Sequence, residues 1–271
     1  MSTDDRISVT IENGVADVRM IRTDKMNALD DAMFSALIET GERLKTEPGV
    51  RAVVLSGEGR AFCAGLDMGN FGKMASGERK GGTETLVTAD RTAGGSNRAQ
   101  HAVMVWREIP VPVIAAIHGV AFGGGFQLCL GADIRYVTAD TRMSIMEIKW
   151  GLVPDMAGLV LMRQLARDDI VRELTYSGRQ FSGEEAVQYG FATRVCASPR
   201  TEALGLAAEI AGKNPHAIRA DKRLLDLAAS GADQHAILKA ESVEQTALIG
   251  SPNQIEAVVS NMQKRAAVFA D

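Results

Sequence analysis

The 271-residue sequence is short of the residues that most directly announce a chemistry. It has three cysteines, Cys63, Cys129 and Cys196, and none forms a CxxC pair. An odd, widely spaced set is no disulfide framework and suits reduced thiols in a cytosolic setting. The four histidines, His101, His118, His216 and His235, lack metal-ligand spacing, so no metal site is expected. Net charge is −4, which gives no reason to expect a nucleic-acid partner or an anionic membrane surface. No apolar run reaches the roughly 18 residues that a membrane span requires. The opening "MSTDDRISVTIENG" is acidic and lacks an apolar run behind a basic start, unlike a secretory or transit signal, so a cytoplasmic protein is expected. The chain also lacks GK[ST] after its glycines and GxSxG anywhere, which removes the P-loop and the esterase elbow.

What is present reads as an ordinary folded chain, with 46% hydrophobic and 24% charged residues. Length allows one large domain, or one domain with an appendage. "ISVTIENGVADVRMI" alternates apolar and polar residues around Asn13-Gly14, a hairpin signal. Asp30 or Asp31 can cap a following helix whose Met33, Leu37 and Leu44 lie near one face and which Pro48-Gly49 ends. "RAVVLSGEG", "VPVIAAIHGV" and "DIRYVTA" read as buried strands, and the alternation of strands with helices predicts an α/β fold. Residues 69–100 are rich in Gly, Ser, Thr and charge, as expected of a mobile lid or a disordered loop. Beyond Ala157 the chain is mainly helical; Ser182 with Glu185 forms a capping box, and "FATRVCA" offers one last short strand. The apolar residues of the last helices exceed what those helices need among themselves, so some are expected to cover a partner subunit.

Three consecutive glycines in "HGVAFGGGFQLCLGADI" stand where a strand turns into a helix. Gly123 and Gly125 fit the first two positions of GxGxxG, but Leu128 stands at the third. What remains is the general chemistry of a helix start, whose first N–H groups lack partners. Such N–H groups can hold an oxyanion formed by enolising a carbonyl; equally, the glycines can serve close helix–strand packing. A second strand–turn–helix segment, "VVLSGEGRAFCAGLDM", offers another exposed N–H, so two donors could converge on one oxygen.

With both segments in view, the chain resembles the crotonase, or enoyl-CoA hydratase/isomerase, superfamily. The matching stretches are "KMNAL" at 25–29, "GRAFCAGLDM" at 59–68, "PVIAAIHGVAFGGGFQLCLGADIRY" at 112–136, "MEIKWGLVPDMAG" at 146–158 and "YSGRQFSGEEAVQYGFATRV" at 176–195. The resemblance implies a spiral of ββα units over residues 1–200, and over 201–271 a helical region that builds a homotrimer or a dimer of trimers. It implies an acyl-CoA thioester substrate, with coenzyme A as part of the substrate and no separate cofactor. Its oxyanion N–H groups map to Leu66 and Gly124, and Gly123 maps to its substrate-binding positions. Its coenzyme A contacts map to Lys25, Met26, Ala28, Ala64, Asp67 and Met68; Asp67 can equally be a helix cap, and Lys25 a surface charge.

The resemblance breaks at Gln127. Hydratases of the family carry one glutamate there and another at the position of Glu147. An amide exchanges no proton at neutral pH, though it can hydrogen-bond a water or a carboxylate. Asp155, eight residues beyond Glu147, can compensate: dienoyl-CoA isomerases of the family have acids at both positions, and another acid at that of Gln127. Two carboxylates in one apolar pocket separate into an acid and a base. Asp155 can also be a turn or cap residue after Val153-Pro154. The sequence therefore leaves three readings: a double-bond isomerase using Glu147 and Asp155, a hydratase using Glu147 with Gln127 orienting the water, and an acyl-CoA-binding protein with little catalysis.

Overall fold

The computed structural model describes residues 5–69, 87 and 90–271, and most of the lid expected at 69–100 lies outside them. The expected hairpin opens the fold. Strands β1 (Ile7–Glu12) and β2 (Val15–Met20) pair antiparallel across Asn13 and Gly14, both at positive φ (50° and 81°), as a tight hairpin turn demands. The Asp30 side chain accepts the Met33 N–H at 2.8 Å and so caps helix α1 (Asp31–Thr46), which buries Met33, Leu37 and Leu44. Strand β3 (Ala52–Gly57) follows, then helix α2 (Arg98–Glu108), β4 (Val113–Ile117) and β5 (Val120–Phe122). Next come α3 (Gly124–Leu130), β6 (Ile134–Val137) and β7 (Arg142–Ser144).

The first sheet has the order β1-β2-β3-β4-β6 and then β9 (Arg194–Val195), parallel from β2 onward. Every residue of β3 and β4 is buried, as in a parallel sheet covered on both faces. Val53 and Leu55 join the large core with α1, α2 and α3, while their neighbours Ala52 and Val54 face Ala203, Ala207 and Ala211 of helix α7 (Pro199–Ala211). Small residues at this four-residue spacing let α7 lie close on the sheet. The division expected at residue 200 therefore falls in the first turn of a helix that covers the sheet.

A second, three-stranded sheet joins β5, β7 and β8 (Phe181–Ser182), and its strands were not foreseen because each is only two or three residues long. The chain alternates between the sheets: β4 in the first, β5 in the second, β6 in the first, β7 and β8 in the second, β9 in the first. This is the ββα alternation anticipated above. The Ser182–Glu185 capping box forms at helix α6 (Gly183–Tyr189). Helices α4 (Gly158–Leu165) and α5 (Asp168–Ser177) precede it. Helices α8 (Pro215–Ala229), α9 (Gln234–Leu248) and α10 (Pro252–Met262) end the chain. Helix α9 buries none of its residues.

Candidate active site

Two loops that follow strands meet at the N-terminus of α3. Cys63 forms a parallel bridge with Ala121; its N–H donates to Val120 O and its carbonyl accepts the Phe122 N–H, both at 3.1 Å. That register brings the residues three further along each chain, Leu66 and Gly124, towards one another. A Cβ on Gly65 would lie 3.7 Å from Gly124 N, which fixes how close the two loops are. Among the described residues, neither the Leu66 N–H nor the Gly124 N–H donates to a backbone acceptor. The third glycine serves packing: a Cβ on Gly125 would stand 2.3 Å from Cys63 O. Helix α3 is held from behind by Phe126, whose ring meets Phe181 and Phe191 edge-on at 5.6 and 5.3 Å.

Gln127 lies one turn into α3 and is wholly buried. Its Oε1 accepts two backbone N–H groups, from Met156 at 2.9 Å and Gly158 at 3.0 Å. These donors settle which end of the amide is oxygen. Its Nε2 therefore faces Glu147 and donates to Oε1 of that carboxylate at 2.6 Å. Glu147 opens a single 3₁₀ turn (Glu147–Trp150) and is 8% exposed. Its second oxygen, Oε2, is buried and meets no hydrogen-bond partner among the described residues. Burial raises the Glu147 carboxyl above its ordinary value; its own backbone N–H and Gln127 oppose this, and the charge of Asp155 adds to it.

Asp155 is exposed, yet close enough for its charge to be felt at Glu147. It heads a sharp turn into α4 in which Ala157 takes a left-handed conformation (φ 64°). A non-glycine residue there costs about 1–2 kcal/mol. The two N–H groups that Gln127 accepts flank this strained residue on either side.

The segments expected to contact coenzyme A form one ladder. Ala64 N–H donates to Met26 O at 2.9 Å, Leu29 N–H to Gly65 O at 2.8 Å, and Asp67 N–H to Leu29 O at 3.0 Å. Met26 is half-buried in a left-handed conformation, and Ala28 is buried. Lys25 and Met68 are exposed at the rim. Asp67 pairs with Arg22 at 2.6 Å and accepts the Gly69 N–H at 2.7 Å, so it caps a helix start and ties the two segments together.

A buried carboxylate beside a glycine-built pair of open N–H groups, carried on alternating ββα units, decides the relationship. The chain belongs to the enoyl-CoA hydratase/isomerase family. The family's model matches residues 10–271. Mouse mitochondrial Δ(3,5)-Δ(2,4)-dienoyl-CoA isomerase is 32% identical over 212 residues, 77% of this chain; the match spans 64% of that relative's length. Carnitinyl-CoA dehydratase of Proteus mirabilis is 32% identical over 221 residues, 80% of this chain and 79% of the relative. The crystal structure of an enoyl-CoA hydratase from Bacillus anthracis superposes with a TM-score of 0.86 at 26% identity, covering 97% of this chain and 98% of that one.

Several residues that build this family site escaped the sequence reading. Arg22 also donates to Ala28 O at 3.0 Å, and Asn27 donates to Glu58 O and Ala61 O at 3.0 and 2.9 Å. The asparagine inside "KMNAL" was visible, but not its partners more than thirty residues away. Met156 Sδ and Leu29 Cδ1 line the other side of Gly124. Cys63 and Cys129 are buried, and burial pushes their thiols up to about 12, far from a reactive thiolate. Glu42, His101 and Glu108 gather ligand atoms within 4.8 Å, a cluster that sequence spacing did not reveal. The Lys45 ammonium already bridges its two carboxylates, at 2.8 and 2.6 Å. Among the described residues no helix is long and apolar enough to cross a membrane.

Proposed function

We propose that this chain is an acyl-CoA enzyme that shifts a double bond in an enoyl- or dienoyl-CoA through a thioester enolate. The observation that carries this is the single unpartnered oxygen of Glu147, Oε2, buried next to an amide rather than a second carboxylate. Glu147 Oε2 takes a proton from a carbon of the acyl chain. The C–H electron pair moves through the conjugated system onto the thioester oxygen, which the Leu66 and Gly124 N–H groups hold as an oxyanion. Such a donor is worth about 2.7–4 kcal/mol in other enzymes. Asp155, which begins the turnover as the acid, delivers a proton at the far end of the system; the enolate collapses with the double bond moved, and proton exchange with solvent returns Glu147 to carboxylate and Asp155 to acid. No separate metal or redox cofactor enters this scheme, because the thioester itself acidifies the carbon; coenzyme A arrives with the substrate along residues 25–29 and 64–68.

A second reading, water addition to a 2-enoyl-CoA by Glu147 alone, draws support from the exposure of Asp155. Parallel ultraviolet assays with a 3,5-dienoyl-CoA and a 2-enoyl-CoA separate the two. Gain of conjugated 2,4-dienoyl absorbance, lost in Asp155→Asn, supports isomerisation. Fast loss of the enoyl signal supports hydration. No turnover on a broad panel, with retained acyl-CoA affinity, would make the chain a binding protein.

We also propose that α8–α10 join copies of this chain into a trimer or a dimer of trimers in the cytoplasm. These helices expose Leu225, Val243, Ile255 and Met262, and line a groove of about 650 Å³ with Leu248, Ile249 and Val258. Sedimentation of the purified chain tests this; a monomer at micromolar concentration rejects it.

A further inference from the structure

We infer that Gln127 is a positioning residue, an uncharged clamp that holds Glu147 in one rotamer and locks it to the turn carrying Asp155. The inference rests on the reading of Glu147 as the proton-transferring group. It assigns Gln127 a task other than orienting a water molecule.

The geometry sets three demands on the side chain at this position. It must accept from the Met156 and Gly158 N–H groups, it must donate to Glu147 Oε1, and it must do both while fully buried. Only a planar group with an acceptor at one end and a donor at the other meets them. A glutamate would satisfy both N–H groups with one oxygen. Its other oxygen would then stand about where Nε2 stands, 2.6 Å from Glu147 Oε1 in this structure. Two carboxylates that close cannot both ionise and share one proton instead. Glutamine is thus the permanent counterpart of a protonated glutamate: it keeps the clamp and removes the titration.

The clamp has two consequences for the site. Glu147 Oε1 is engaged by the amide, which leaves Oε2 as the oxygen with no partner among the described residues and the one assigned to proton transfer. The turn at 155–158 is held from inside, because Gln127 binds the N–H groups on both sides of the left-handed Ala157. The fit is close: a Cβ on Gly158 would stand 2.6 Å from Gln127 Oε1. One amide therefore sets the separation of the two groups that are to pass the proton.

The test compares Q127E, Q127M and E147Q with the wild-type chain. Turnover of a 3,5-dienoyl-CoA and exchange of acyl-chain hydrogen into D2O are followed from about pH 5 to pH 9, with a thermal melt at each pH. The readout is the ratio of variant to wild-type kcat, in which groups common to both cancel. Q127M fills the volume but makes none of the three hydrogen bonds; its kcat should fall roughly 10–100-fold at every pH with KM within about threefold, as expected for lost orientation. Q127E should approach wild-type kcat at the acid end, where the new carboxyl holds a proton and mimics the amide. Its ratio should then fall progressively as the shared proton leaves. A flat Q127E ratio, or Q127M within twofold of wild type, overturns the proposal. So does a Q127E that is unfolded across the whole range, since Gln127 would then be needed for folding alone. If Q127M does not fold, Q127E decides. E147Q at wild-type turnover would remove the underlying reading of Glu147; an inactive E147Q with a flat Q127E ratio would remove only the clamp.

Discussion

Gly65 lies against the backbone of Phe122 so closely that a Cβ on it would stand 2.5 Å from Phe122 O. Its φ is +86°, so two independent constraints, a left-handed backbone and a backbone neighbour that cannot yield, hold the position to glycine. Both act next to Leu66, and the same Cβ would stand 3.7 Å from Gly124 N, at the two positions to which the proposed oxyanion donors are assigned. Gly65→Ala is expected to lower stability by about 2–4 kcal/mol, the sum of left-handed strain and displaced packing. Turnover should fall about 100-fold or more as the donor pair separates. Thermal melts and kcat on the active acyl-CoA check both, and near-wild-type turnover would place the oxyanion elsewhere.

Gly124 differs because its neighbours are side chains. A Cβ there would meet Met156 Sδ at 2.8 Å and Leu29 Cδ1 at 2.9 Å. Both contacts are with side-chain atoms, which can move aside, so the clash costs little stability. Gly124→Ala is expected to keep its melting temperature within a few degrees and to lose activity. Adding Met156→Ala should restore part of that activity. Single and double variants assayed together test it; equal loss in both would show that Met156 is not what the methyl displaces.

The protonation of Glu147 links pH to stability. Burial raises its folded pKa above the ordinary glutamate value, so the folded chain keeps a proton that the unfolded chain releases. The resulting stabilisation is fully present below the unfolded value and disappears as pH rises through the raised one. Glu147→Gln has no such proton to lose. Its melting temperature relative to wild type should therefore increase as pH rises from below the ordinary glutamate value through the raised one, by roughly a few degrees. A pH-independent difference would mean that Glu147 is not held above the ordinary carboxylate range.

Arg22 and Asp67 form an ion pair at 2.6 Å with side chains only 15% and 17% exposed. Removing one partner leaves a charge poorly solvated, and Asp30 lies 3.5 Å from the same guanidinium. Arg22→Met should destabilise the fold by about 1–3 kcal/mol, between the values for surface and buried pairs. It should also weaken acyl-CoA binding by loosening the 25–29 and 64–68 segments. The double variant with Asp67→Asn should recover part of the stability; strict additivity in denaturant unfolding would show that the pair is not coupled.

Local features of the chain declared themselves in the residue order. Asn13-Gly14 made its hairpin, Asp30 capped its helix, Ser182 with Glu185 closed its capping box, and the apolar runs of β3 and β4 became buried strands. Each depends on residues within a few positions of one another, so spacing alone reveals it. The glycine triplet and "AFCAGLD" were equally visible as strand–turn–helix junctions, because a run of glycines and a capping residue are local signals.

Other features were decided only when distant segments met. Nothing near Gln127 in sequence says that its amide would meet Glu147 twenty residues on and the N–H groups of Met156 and Gly158 beyond it. Nor does the order of residues disclose that Asp67 would pair with Arg22, forty-five positions earlier. The strands of the second sheet were too short to carry a periodic signal, yet the contact of Cys63 with β5 is what brings Leu66 to Gly124. The sequence by itself determined the longer elements and the kinds of polar group the candidate site contains. The tertiary structure alone decided which oxygen of Glu147 is free, because that depends on a burial and a hydrogen bond made across three separate segments.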